Sequence, residues 1–489
     1  MSNKELKPIM FVGTGSDVGK SVLNAGFCRI FQQDGFKPAP FKAQNMSLNS
    51  FATEDGFEIG RAQAMQAEAC KTPPLVQMNP VLLKPTSEQK AQVVVNGKPV
   101  GTQTAKEYFE DTDREKLFLE AMKSLNFLCD RFSPVVLEGA GSISEMNLWD
   151  KDITNMRVAE YKSIPTYLIA DIDKGGVIAS VYGSILLLPD NQRALIQGII
   201  LNKFRGDISL FEEGKRIIEE LTGIPVVGVV PYFRDIYLEQ EDSVVVDRKK
   251  RSFVSGKINV AVCLIPHMSN FTDFDVLEIL NEVNLYYSDK AKEVEKADII
   301  FIPGSKNTIA DLKYLKSKGL DCLIRELVSS GKQVYGICGG FQMLGEKIFD
   351  EYGVESSEKE IDGIGVLPIK TYLEKEKKTV QVEFKYKDSF QICKGYEIHM
   401  GVTKGIEENT LCVLDNEQKD GCFKNENVWG TYIHGILDNA CVLNDILSKV
   451  NPNFKTEINY FEYKSAELDK LAKVIREHCN MEYIYHSLK

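Results

Sequence analysis

The stretch that most limits how this chain can fold is Phe11-Val-Gly-Thr-Gly-Ser-Asp-Val-Gly-Lys-Ser21. An apolar run, Pro8 to Val12, reads as a buried strand. Glycines follow, and Val18 to Phe31 then places apolar residues at helical spacing. Strand, glycine loop and helix in that order build an anion cradle. Backbone N–H groups of Gly13, Thr14, Gly15, Ser16, Asp17, Val18 and Gly19 turn inward, and the helix N-terminus adds partial positive charge. Lys20 is placed to reach outer phosphates, and Ser21 to ligate Mg²⁺. A glycine-rich turn before an ordinary helix is the alternative, and Gly19-Lys20-Ser21 at the helix start argues against it. The implied ligand is a nucleoside triphosphate.

With 489 residues the chain has room for at least two domains, and 43% apolar with 26% charged residues is the balance of a globular protein. A net charge of −11 argues against non-specific nucleic-acid binding and requires a locally basic pocket for any anionic substrate. Eleven cysteines without a Cys-x-x-Cys pair suit a reducing compartment. The N-terminus lacks a signal-peptide pattern, and there is no apolar run of about 18 residues that could span a bilayer. The expectation is a cytoplasmic protein.

Up to residue 242, short apolar runs (Phe36 to Phe41, Val135 to Leu137, Thr166 to Asp171, Gly198 to Asn202, Val226 to Val230) alternate with helical patterns. That alternation predicts a parallel α/β sheet with its ligand crevice at the strand ends. Residues 243–257 read as a solvated linker around the basic run Arg248-Lys249-Lys250-Arg251. A second α/β domain is predicted over 258–447, with strands Ile258 to Ile265, Ile299 to Ile302 and Gln333 to Ile337 and a β-rich part from Gly363 to Thr431. Residues 448–489 read as a helical extension.

A second chemical centre is expected at Tyr335-Gly-Ile-Cys-Gly-Gly-Phe-Gln342. A cysteine at a sharp strand-to-helix turn projects from the backbone, and the helix N-terminus favours its thiolate. Cys338 needs a base, and His434 in Gly430-Thr-Tyr-Ile-His-Gly435 is the favoured partner.

Together with Gln44-Asn-Met-Ser-Leu-Asn-Ser50, Glu58-Ile-Gly-Arg-Ala-Gln63, Met78-Asn-Pro-Val-Leu-Leu-Lys-Pro85, Glu138-Gly-Ala-Gly-Ser142, Asn202-Lys-Phe-Arg-Gly-Asp207, Ser269-Asn-Phe-Thr-Asp-Phe-Asp275, Pro303-Gly-Ser-Lys-Asn-Thr308 and Gly395-Tyr-Glu-Ile-His-Met-Gly401, these motifs make the chain resemble the cobyric acid synthase family over nearly its whole length. The resemblance implies a phosphate-loop domain of the dethiobiotin-synthetase type, whose Gly13 lies six residues before Gly19, followed by a class I glutamine amidotransferase-like domain. It implies glutamine hydrolysis at a Cys338–His434 dyad, because Ile436 stands where the wider amidotransferase pattern has Glu. It further implies ATP- and Mg²⁺-dependent amidation of the b, d, e and g carboxylates of adenosylcobyrinic acid a,c-diamide, a corrinoid polycarboxylate.

Under that resemblance Glu138 and Glu145 become Mg²⁺ ligands beside Ser21, and Asn202 an adenine reader. Asn45, Arg61, Lys84, Arg157, Lys174 and Arg205 become corrinoid contacts, Lys174 standing where Arg is expected. Backbone amides near Gly304 and Gly339 are expected to form an oxyanion hole, and a protected passage to carry ammonia between the centres. Cobyrinic acid a,c-diamide synthase is the nearest alternative, and a partitioning-type ATPase the alternative from another class.

Overall fold

The structure is a computed structural model and describes residues 5–87, 90–110, 112–239 and 252–489. The basic run Arg248 to Arg251 lies outside the described residues. Six parallel strands form the first sheet, in the order Val226–Pro231, Ile196–Phe204, Thr166–Asp171, Ile9–Gly13, Val135–Glu138, Ala39–Phe41. Their Val-, Ile- and Leu-rich runs are buried on both faces, as a parallel sheet covered by helices requires. The C-terminal ends of the central strands place Glu138, Asp171 and Asn202 on one rim, next to the glycine loop. Parallel order puts the crevice there.

One part departs from simple strand–helix alternation. Gln44–Met46, Val81–Ser87, Lys90–Val95 and Lys98–Thr104 form a separate four-stranded sheet. Its tight turn is Asn96-Gly97, both at positive φ (47° and 74°), which suits a two-residue hairpin.

In the second half, Val283–Ser288, Ile258–Cys263, Ile299–Ile302, Gln333–Ile337 and Val428–Thr431 run parallel, and the sheet continues through Lys419–Asn425 and Thr410–Leu414 in antiparallel pairing. A long hairpin, Lys370–Tyr386 with Ile392–Lys404, extends it toward the first half. Among the described residues, no helix is long and apolar enough to cross a membrane.

The end of the chain returns to the beginning. Helix Tyr460–His478 lays Leu468, Leu471, Ala472 and Ile475 into the cluster that holds Phe11, Leu23, Phe27 and Tyr167. It reaches that depth because Gly26 has no side chain: a Cβ there would lie 2.1 Å from Ile475 Cδ1. Buried Arg29 clamps the contact through Nε to Asp469 Oδ1 at 2.7 Å. Leu471 is fully buried, so Leu471→Ala should lower stability by about 3 kcal/mol. Urea unfolding checks it, and an unchanged midpoint would refute the packing.

The two halves meet across buried charge. Lys84 Nζ donates to Glu58 Oε1 at 2.6 Å and to Ser50 Oγ at 2.7 Å, while Lys377 from the long hairpin pairs with the other Glu58 oxygen. Burial alone raises the Glu58 carboxyl, but Lys377 and Lys84 outweigh it and hold it far below the usual carboxylate range. A depressed carboxyl stabilises the fold above its unfolded pKa and loses that contribution as pH falls through the folded one. Glu58→Gln leaves two buried ammonium groups without a counter-charge and should cost about 3 kcal/mol at neutral pH. Thermal unfolding against pH checks both: the gap between wild type and variant should narrow on acidification.

Candidate active sites

The first site is an open cavity of about 900 Å³ at the rim of the first sheet. Gly19 sits at φ 97° immediately before helix Lys20–Gln33. A Cβ on it would come within 2.1 Å of Asn202 Nδ2, so only glycine lets the loop lie this close to the neighbouring strand. Lys20 Nζ donates to Gly15 O at 2.8 Å and Gly141 O at 2.9 Å, which brings the ammonium back over the cradle.

Glu138, at the end of its strand, accepts from Ser21 Oγ at 2.7 Å and Lys42 Nζ at 2.7 Å on Oε1, and from Gln66 Nε2 at 2.6 Å on Oε2. Burial raises this carboxyl, yet Lys42, Gln66 and Ser21 together hold it below the ordinary range. Ser21 and Glu138 therefore present adjacent hard oxygens, the donor chemistry that Mg²⁺ takes. Lys42 and Gln66 were not singled out from the sequence. Lys42 carried a signal, since it follows a strand end on the crevice rim.

The other expected residues divide. Asn45, Glu145, Arg157, Lys174, Asn202 and Arg205 all line the cavity. Asn202 donates its amide to Val18 O at 2.9 Å, so it braces the glycine loop. Arg157 pairs with Glu115 and covers the Phe118 ring at 3.9 Å, and Arg205 pairs with Asp173 and covers Tyr232 at 3.7 Å. Arg61 and Lys84 need correction as corrinoid contacts. Neither side chain lines the cavity: Arg61 is buried and bidentate on Glu239, which does line it, and Lys84 is buried on Glu58. Their charges serve interior carboxylates because an unpaired buried cation would be too costly.

The second site is built on the turn between strand Gln333–Ile337 and helix Gly339–Leu344. Cys338 occupies φ 51°, ψ −106°, a conformation that costs a non-glycine residue energy and persists where surrounding structure enforces it. Here the enforcement is close packing: a Cβ on Gly340 would lie 1.9 Å from Ile302 O. Cys338 is buried, and its Sγ lies 3.6 Å from Ile398 O. A Cβ on Gly339 would lie 2.8 Å from Ser305 N, and one on Gly304 would lie 3.3 Å from His434 Cε1. The Gly304–Ser305 turn, the cysteine turn and the imidazole therefore converge.

His434 is buried, with Nδ1 2.7 Å from Asp273 Oδ2; the second Asp273 oxygen accepts from Gly435 N at 2.9 Å. Burial disfavours the imidazolium, but the Asp273 carboxylate and the Cys338 side chain outweigh it and lift the imidazole to about 10. The expected dyad is thus corrected. A carboxylate does sit on His434, but it comes from the 3₁₀ turn Phe271–Phe274 instead of from the two residues after the histidine. Asp273 lies within the Ser269 to Asp275 motif, yet no spacing rule links positions 161 apart. His267 pairs with Asp311 at 2.8 Å, and His399 stacks on Tyr432 at 3.7 Å.

Comparison with known proteins agrees with these two centres. Residues 9–244 match the family described as "CobQ/CobB/MinD/ParA nucleotide binding domain", and residues 259–442 match "CobB/CobQ-like glutamine amidotransferase domain". Proteins named "Cobyric acid synthase" align along the whole length. That of Parabacteroides distasonis is 53% identical over 99% of both chains, and that of Bacteroides fragilis 49% identical over 99% of both. That of Caldanaerobacter subterraneus subsp. tengcongensis is 43% identical over 98% of both. With a phosphate loop, a cysteine turn and full-length identity of this order, the chain belongs to the cobyric acid synthase family.

Proposed function

We propose that this protein amidates the b, d, e and g side-chain carboxylates of adenosylcobyrinic acid a,c-diamide to give adenosylcobyric acid, using ATP and glutamine-derived ammonia. A carboxylate is a poor electrophile, because attack must expel oxide from an anion. A substrate carboxylate oxygen displaces ADP from the γ-phosphorus of ATP, forming an acyl phosphate, and ammonia then displaces phosphate. Lys20 and the loop amides balance charge on the phosphoryl group as it transfers. Ser21 and Glu138 would hold Mg²⁺, which when bound neutralises the outer phosphate oxygens. Arg157, Lys174 and Arg205 at the cavity wall are the proposed contacts for the corrinoid carboxylates, with Asn45, Asn202 and Glu145 lining the same cavity.

In the second site Cys338 attacks the glutamine side-chain carbonyl. His434, whose basicity is raised, takes the thiol proton and returns it to departing ammonia, then deprotonates the water that cleaves the thioester. Amides at the Gly304 and Gly339 turns are the proposed oxyanion donors. Ammonia passes between the halves out of contact with solvent, where it would be protonated. The free cysteines suit a reducing cytoplasm.

The observation that carries this proposal is the presence of both centres in one chain, locked together by the buried Glu58–Lys377 pair. Incubation with ATP, Mg²⁺, glutamine and the diamide tests it by mass: the product should carry four new amides. Two new amides made from cobyrinic acid itself would instead select the a,c-diamide synthase alternative, and labelled external ammonium entering freely against glutamine would exclude the protected passage.

A further inference from the structure

The turn that carries Asp273 is held from the other half of the molecule. Asn270, which precedes it, stands in the left-handed region at φ 52°, and its Oδ1 accepts from Ser50 N at 3.0 Å. Phe271 N in turn donates to Asn49 Oδ1 at 3.2 Å. Asn49, Ser50, Asn270 and Phe271 are all buried. A third contact backs the imidazole itself: Tyr396 stacks on His434 at 5.3 Å and meets Phe51 at 4.8 Å. Residues 49–51 thus support both the carboxylate and the ring face of His434. The same short segment begins at Gln44, Asn45 and Met46, which line the nucleotide cavity beside Glu138.

We propose that Asp273 is a positioning residue for His434, and that Asn49 and Ser50 of the nucleotide-binding half hold its turn in place, so that glutamine hydrolysis is fully competent only with the halves docked. The inference rests on Cys338 and His434 being the glutamine-hydrolysing pair. Asp273 fixes which imidazole nitrogen carries the proton, and the left-handed Asn270 fixes where Asp273 begins. Loss of either leaves the cysteine and histidine present but poorly aligned, a defect in turnover more than in glutamine binding.

The test uses the full chain, with glutamine hydrolysis and ammonium-supported amidation measured side by side. Asp273→Asn should lower kcat for hydrolysis about 100-fold, because an amide favours the wrong tautomer, with KM for glutamine and ammonium-supported amidation nearly unchanged. Asn270→Gly keeps the left-handed backbone and deletes only the acceptor. It should lower kcat about tenfold, while Asn270→Asp, which restores the acceptor, should recover most of it. An Asp273→Asn enzyme with wild-type kcat would overturn the positioning role. Asn270→Gly and Asn270→Asp indistinguishable from wild type would overturn the support from the other half. If Asn270→Gly does not fold, Asn49→Ala against Asn49→Asp reads the adjacent bond with the same expected order. Glutamine hydrolysis surviving Cys338→Ser would defeat the underlying assignment instead, a different result from any of these.

Discussion

Cys338→Ser should abolish glutamine hydrolysis and glutamine-dependent amidation, by about 10⁴-fold or more, because the nucleophile of a concerted set accounts for nearly all its acceleration. The substitution is small. Serine removes polarisability and acidity while keeping size, and the strained backbone at φ 51° is imposed by the packing of Gly339 and Gly340 against Ile302 and Ser305. The fold should therefore survive. Amidation supplied with ammonium should continue, since carboxylate activation occurs in the other half. An assay with the two nitrogen sources side by side decides the matter: loss with glutamine alone places Cys338 as the nitrogen-releasing nucleophile, whereas equal loss with both would mean that the halves cannot work separately.

Lys20→Ala should produce the complementary defect. Amidation should fall about 10³-fold with either nitrogen source, because the ammonium that balances developing phosphoryl charge is gone. Basal glutamine hydrolysis should persist, as Lys20 belongs to the first cavity. The Lys20 bonds to Gly15 O and Gly141 O also hold the loop, so a thermal melt must accompany the assay. A normal melt with lost amidation assigns the defect to chemistry. Retained amidation would remove the glycine loop from the reaction.

Glycine loop, cysteine turn and strand–helix alternation were legible because each depends on neighbours in sequence. Gly19 needs positive φ, Lys20 and Ser21 follow at the helix start, and Cys338 sits between a buried strand and Gly339-Gly340. Strand–helix alternation did not foresee the four-stranded sheet that the Asn96-Gly97 turn closes.

What eluded the sequence was where charge ends up. Arg61 and Lys84 were expected to contact the corrinoid, but the fold encloses them, and enclosure demands the partners Glu239 and Glu58. The carboxylate for His434 was sought two residues downstream and lies 161 residues upstream. Likewise, the last helix reads only as amphipathic until Gly26 shows the surface it covers. Local order determined the two reactive centres, since backbone geometry and helix starts are short-range properties. Only the tertiary structure decided which groups orient and neutralise them, because Coulomb and hydrogen-bond partners are chosen by distance in space, and distance along the chain does not constrain them.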